Sequence, residues 1–217
     1  AKELEKRILS SIILIPIAIF FTIKGSVFFL FFLSLLFITT IYEWIKMSKE
    51  KIIIKFLGIF FLIFSFYSAY YIRENEGLYF FIFIILICIF TDIGGYVFGK
   101  IFKGPKLTKI SPNKTLSGVL GSLIFSLISV FLLEIFVQNF IKFEIEILTQ
   151  PKYYLLAIVL SLAAQLGDLC ISYLKRLENL KDTGKMLPGH GGLFDRIDGL
   201  MFVVIIANIL YLLELFP

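Results

Sequence analysis

Between Ser172 and Asp198, a chain made mostly of Phe, Ile and Leu gathers five cations, its only histidine, four glycines, a proline and four carboxylates. Lys175, Arg176, Lys181, Lys185 and Arg196 supply positive charge suited to an anionic substrate. The glycines let backbone N–H groups approach phosphate oxygens. Asp195 and Asp198 are three residues apart, so on a helix they share a face and could hold a hard divalent cation. The alternative is a solvated, turn-rich loop between two membrane helices. Three features weigh against that: a carboxylate pair opening directly onto an apolar run, glycines flanking the sole histidine His190, and a second polar cluster elsewhere.

That second cluster is the loop 99–118. Lys100, Lys103, Lys106 and Lys109 read equally well as a basic collar for anionic lipid heads. Ser111-Pro112-Asn113-Lys114-Thr115 differs: it is a turn with hydroxyl, amide and ammonium donors just ahead of a helix N-terminus, a good seat for phosphate. It ends like a P-loop, but the upstream glycine spacing and the preceding strand are missing, so that reading is rejected.

The run Ser172-x-Leu174-Lys175-Arg176-x4-Lys181-Asp182-x-Gly184-x2-Leu187-Pro188-x-His190-Gly191-Gly192-Leu193-x-Asp195-Arg196-Ile197-Asp198 resembles the signature of the phosphatidate cytidylyltransferases (CDP-diacylglycerol synthases). Asp92-x3-Tyr96-x2-Gly99, followed by Ser111-Pro112-x-Lys114-Thr115-x2-Gly118, resembles a second block of the same family. Asn113 stands where Lys is more frequent. The resemblance covers about residues 92–199, and elsewhere only hydrophobic character matches.

These residues must be positioned by membrane helices. The 217 residues are 59% hydrophobic and 17% aromatic, with 26 Phe and a mean hydropathy of +0.95, more apolar than a soluble domain of this size needs. The expected fold is all-α, a polytopic membrane protein with about seven transmembrane helices, near 8–23, 26–42, 56–72, 78–98, 116–136, 153–173 and 200–216. Spans 1–3 (residues 1–75) would form an N-terminal unit and residues 76–217 the catalytic one. Pro16 and the lack of a small-residue cleavage site make the first span a retained, kinked helix instead of a signal peptide. Cys88 and Cys170 lie in apolar runs and read as core residues. Lys plus Arg number 17 on one side of this arrangement and 4 on the other, which puts the N-terminus in the cytoplasm and the C-terminus outside. The loops 99–115 and 174–199 then both face the cytoplasm.

Asp92, Glu134, Asp168 and Glu214 fall within or at the edge of apolar spans, where charge is costly and usually functional. Glu134 and Glu214 lie toward the outer ends and read as structural. Asp92 and Asp168 sit six or seven residues from the cytoplasmic ends of their spans, about 10 Å at 1.5 Å per residue, the same side from which Asp195 and Asp198 enter the last span. Asp168, Ser172 and Lys175 follow i, i+4, i+7, and Asp92, Tyr96 and Gly99 repeat that spacing. Such polar stripes point into a cavity.

The resemblance implies transfer of a cytidylyl group from CTP to phosphatidate, giving CDP-diacylglycerol and pyrophosphate in the inner membrane, with no nucleic-acid partner. It implies Asp168 and Asp195 as principal metal ligands with Asp198 beside them. Mg2+ is the expected cofactor, a second metal or monovalent cation being left open. Lys175, Arg176, Lys181 and Arg196 would hold phosphates, and Ser111, Asn113, Lys114, Thr115 and Asp92 would meet nucleotide or lipid. His190 would orient the glycine turn or touch phosphate, or serve structure alone. Ser172 lacks an accompanying base and is not read as a nucleophile. The family also implies a homodimer, and its members often carry further N-terminal helices. Alternatives are a related CTP-dependent lipid transferase or lipid kinase, and, outside enzymes, an ion or solute carrier built on the intramembrane aspartates.

Overall fold

Helix formation follows from the apolar runs, because backbone polar groups in a bilayer core must be satisfied within the segment. The computed structural model describes residues 2–48, 51–108, 110–112, 114–136, 150–184, 186 and 191–215, with side chains from residue 12 onward. Among the described residues there are seven helices: α1 (Lys2–Lys24), α2 (Ser26–Met47), α3 (Ile52–Asn75), α4 (Gly77–Phe102), α5 (Leu116–Phe136), α6 (Pro151–Leu177) and α7 (Phe194–Leu212). Five of them, α2 to α6, are long and apolar enough to cross a membrane. The chain is a polytopic, all-α membrane protein.

The expected seven spans thus divide. Only Ile12–Lys24 of α1 forms a shorter apolar helix, and the 19-residue α7 carries Asp195, Arg196 and Asp198 in its opening turns. The helices also overrun the apolar runs. α6 ends at Leu177 with Lys175 and Arg176 in its last turn, so Asp168 lies nine residues in, about 14 Å at 1.5 Å per residue.

Outward faces stay apolar and inward faces interlock. Phe60 is 72% exposed whereas Ile72, on the same helix, is fully covered, the pattern of a helix with one side toward lipid. Trp44, Met47, Leu62, Ile171, Phe194 and Met201 form a separate buried cluster that ties α2, α3, α6 and α7 together near one end of the bundle.

Short connections are held by caps from a third helix. Gly25 joins α1 to α2 with φ of 64°, a left-handed conformation that favours glycine. Arg73 of α3 donates to Thr22 O (2.8 Å) and Ile23 O (3.2 Å) at the C-terminus of α1. Its neighbour Glu74 accepts from Ser26 N (2.7 Å) at the N-terminus of α2. Cation and anion each sit at the helix end whose dipole suits them.

α4 and α5 approach closely because glycines face one another. A Cβ on Gly94 would run into Gly121 O, and one on Gly118 would come within 2.9 Å of Gly95 O. In lipid, where no hydrophobic force drives helices together, such small-residue seams permit the contact. They also set the spacing between Asp92 on α4 and the loop that precedes α5. Gly121→Val is expected to force the two helices apart at a cost of about 1–3 kcal/mol, read as a lower unfolding midpoint in detergent. An unchanged midpoint would show that the seam can relax.

Candidate active site

The loop before α5 folds back on itself. Leu107 N donates to Lys114 O (2.8 Å) and Leu116 N to Pro105 O (3.1 Å), closing a small hairpin around Lys106 and Thr115. Thr115 then caps α5, its Oγ1 accepting from Gly118 N (3.1 Å). This geometry brings Ser111, Lys114 and Thr115 over a cavity of about 280 Å3 that Asp92, Tyr96 and Asp168 also line. Lys114 Nζ lies 2.6 Å from Asp168 Oδ2 and donates to Gln165 O (3.3 Å).

The cavity's polar floor was not anticipated from sequence. Thr91 donates to Ser161 Oγ (2.9 Å), Ser122 donates to Thr91 O (2.8 Å), and Gln165 reaches Ser161 Oγ (3.4 Å). Buried hydroxyls in apolar helices usually bond back to their own backbone, as Ser65 does to Phe61 O. Only the interhelical partners distinguish these from that common pattern.

Along α6 the stripe continues toward α7. Ser172 Oγ donates to Asp168 Oδ1 (3.2 Å), and one further turn on, Lys175 Nζ lies 2.8 Å from Asp195 Oδ1. Both members of that pair are buried, with side chains 10% and 7% exposed. Asp195 Oδ2 accepts from Thr183 N (2.8 Å), Thr183 Oγ1 (3.1 Å) and Gly192 N (3.1 Å). Thus Asp195 organises the connection from α6 to α7, and both its oxygens are engaged. Asp198 is buried on the next turn, with Oδ1 accepting from Gly199 N (2.9 Å), and feels the charges of Asp168, Lys175 and Asp195. Asp92 feels those of Asp168 and Lys114. The four aspartates form two adjoining centres, one around Asp168 and one around Asp195, linked by Asp198.

A residue that sequence reading passed over anchors the second centre. Glu43 of α2 is 1% exposed and accepts from Leu193 N (3.0 Å) and Phe194 N (2.9 Å), the first amides of α7. It sits near a charged segment and so looks like an ordinary interfacial acid in the sequence.

The remaining site candidates are more peripheral. Arg176 is exposed and donates to Leu180 O (2.8 Å), while Arg196 is exposed on the first turn of α7. Lys181 borders a second, open cavity of about 790 Å3 together with Lys46, Lys51 and Asp182. Asn113 and His190 lie outside the described residues.

Among the described residues no three acidic, His or Cys side chains stand close enough to enclose a metal by themselves. The chemistry of the donor set still suits a hard cation. Asp168 lies near enough to both Asp92 and Asp198 for each to feel its charge, and magnesium is commonly held by one or two carboxylates with the rest of its shell from water and substrate phosphates.

Lys175→Met is expected to destabilise the α6–α7 connection by about 3–5 kcal/mol, because it strands a buried carboxylate. Lys175→Met combined with Asp195→Asn should recover part of that loss in detergent unfolding. Full additivity of the two changes would argue against the pair.

The sequence matches the cytidylyltransferase family over residues 48–214, which leaves α1 and α2 outside the match. Among its relatives, a phosphatidate cytidylyltransferase of Staphylococcus haemolyticus is 41% identical over 145 residues, covering 66% of this chain and 53% of the relative. One of Staphylococcus saprophyticus is 44% identical over 142 residues, 64% of this chain and 52% of the relative. One of Staphylococcus aureus is 41% identical over 147 residues, again 66% and 53%. The chain therefore spans about half the length of the relatives it matches. With its polar residues gathered at two linked aspartate centres and its sequence matched from the end of α2 through α7, the chain belongs to the cytidylyltransferase family.

Proposed function

We propose that this chain transfers a cytidylyl group from CTP to phosphatidate, releasing pyrophosphate and leaving CDP-diacylglycerol in the membrane. The observation that carries the reading is the cavity in which Lys114, Ser111 and Thr115 meet Asp168 and Asp92 between apolar helices. It offers cationic and hydroxyl donors to phosphates at a place a bilayer-embedded acceptor can reach. Family membership and the names of the relatives support the choice of nucleotide and lipid.

An ionised phosphate oxygen of phosphatidate attacks the α-phosphorus of CTP, and the bond to the bridging oxygen of the β-phosphate breaks. The nucleophile already carries its negative charge, so no strong protein base is required. The difficulty is bringing two anions together and accepting charge on the leaving pyrophosphate. Lys114 and the N-terminus of α5 meet phosphate at the first centre. Lys175, paired with Asp195, and the more peripheral Arg176, Lys181 and Arg196 would offer further cations to phosphate. Asp168 and Asp195 would hold Mg2+, with Asp198 beside them. When bound, the ion supplies charge neutralisation to the phosphates and helps align them.

The excess of basic residues in the loops that meet at the two centres supports a cytoplasmic site, with the N-terminus on that side and the C-terminus opposite. The family resemblance further supports a homodimer as the working unit, and residues 76–217 as the catalytic part with residues 1–75 beside it.

The purified protein, given magnesium, phosphatidate vesicles and each of four labelled nucleoside triphosphates, should label lipid from CTP alone. Label on a phosphate from any triphosphate would indicate a kinase, and uptake into proteoliposomes without lipid labelling would indicate a carrier. In the same assay Asp168→Asn is expected to lower turnover by about 10²–10³-fold. Its side chain is 39% exposed, so the fold should persist, and a fully active variant would remove Asp168 from the site.

A further inference from the structure

We propose that Glu43 is a positioning residue for the transfer: from α2, it fixes the start of α7 and, through Thr183, the orientation of the Asp195 carboxylate. The proposal rests on the function proposed above for the reaction it serves. Glu43 lies outside the family match, which begins at residue 48.

The geometry is specific. One carboxylate oxygen accepts from Leu193 N and the other from Phe194 N, at 3.0 and 2.9 Å. These amides belong to the unsatisfied set at a helix N-terminus, where the helix dipole also favours an anion. The second oxygen lies 3.3 Å from Thr183 Oγ1, which in turn lies 3.1 Å from Asp195 Oδ2. The threonine hydroxyl has one proton and two carboxylates to serve, so Glu43 and Asp195 are coupled through it. No Lys or Arg among the described residues forms an ion pair with Glu43. Its buried charge is met by the end of α7 instead.

The surroundings leave the carboxylate little room to move. A Cβ on Gly192 would come within 2.8 Å of Glu43 Oε2, and one on Gly184 within 2.6 Å of Oε1. The adjacent Trp44 packs edge-on to Phe194 with ring centroids 5.6 Å apart. Leu193 and Phe194 immediately precede Asp195, and Asp198 follows one turn later. A small displacement of the helix start therefore carries both aspartates with it, and misplacement on the order of 1 Å can cost about 10²-fold in rate.

Glu43→Gln keeps the size of the side chain but replaces one acceptor oxygen with an NH2 group. It is expected to lower kcat about tenfold with KM for CTP within about twofold, and to speed hydrogen exchange at the amides of residues 193 and 194. Trp44→Phe, which keeps an aromatic ring against Phe194, should retain kcat. Parent kcat and parent exchange in Glu43→Gln would overturn the positioning role, as would equal losses of kcat and thermal stability in both variants. If Glu43→Gln does not fold, Thr183→Val carries the test: a severalfold lower kcat supports the coupling and parent kcat overturns it. Absence of cytidylyl transfer by the unaltered chain overturns the functional reading instead, and exchange at 193 and 194 reports the Glu43 contact without any substrate.

Discussion

A carboxylate held inside an apolar bundle must find its partners within the protein, and Asp195 meets that demand with four donors. An ammonium from α6, two backbone amides and a hydroxyl from the intervening connection converge on it. Because charge stranded in such a setting costs several kcal/mol, Thr183 and Gly192 are held against Asp195. The start of α7, the end of α6, Thr183 and Gly192 are tied together. Glu43 extends the same logic to α2 by satisfying amides that Asp195 does not reach.

The other half of the site depends on close approach instead of charge. Glycines on α4 and α5 bring the two backbones into contact, and the hairpin before α5 drops Lys114 onto Asp168. Interhelical hydroxyl bonds at Thr91, Ser122 and Ser161 keep a polar floor in an otherwise apolar region. The result is a cavity walled by α4, α5 and α6 and bordered by Ser111, Lys114 and Thr115 of the loop before α5.

Asp168 and Asp195 each carry a lysine directly on the carboxylate, at 2.6 and 2.8 Å. Asp198, between them, feels both aspartates. Under the proposed function the same lysines are the groups that would meet phosphate.

Much of this was legible in the residues themselves. Long apolar runs require helices wherever a bilayer offers no other partner for the backbone, and i, i+4, i+7 spacing alone puts Asp168, Ser172 and Lys175 on one face. The motif residues between Ser172 and Asp198 marked the segment that the structure shows bound to Asp195. Pairing across helices was not legible, because it depends on how helices pack and not on local pattern. That Lys114 would choose Asp168, that Thr91 and Ser122 would bond between helices, and that Glu43, some 140 residues earlier in the chain than Thr183, would cap α7 are decisions of tertiary packing. A buried acid at a distant helix end has no periodic signature, and its role appears only when the amides it serves are brought to it.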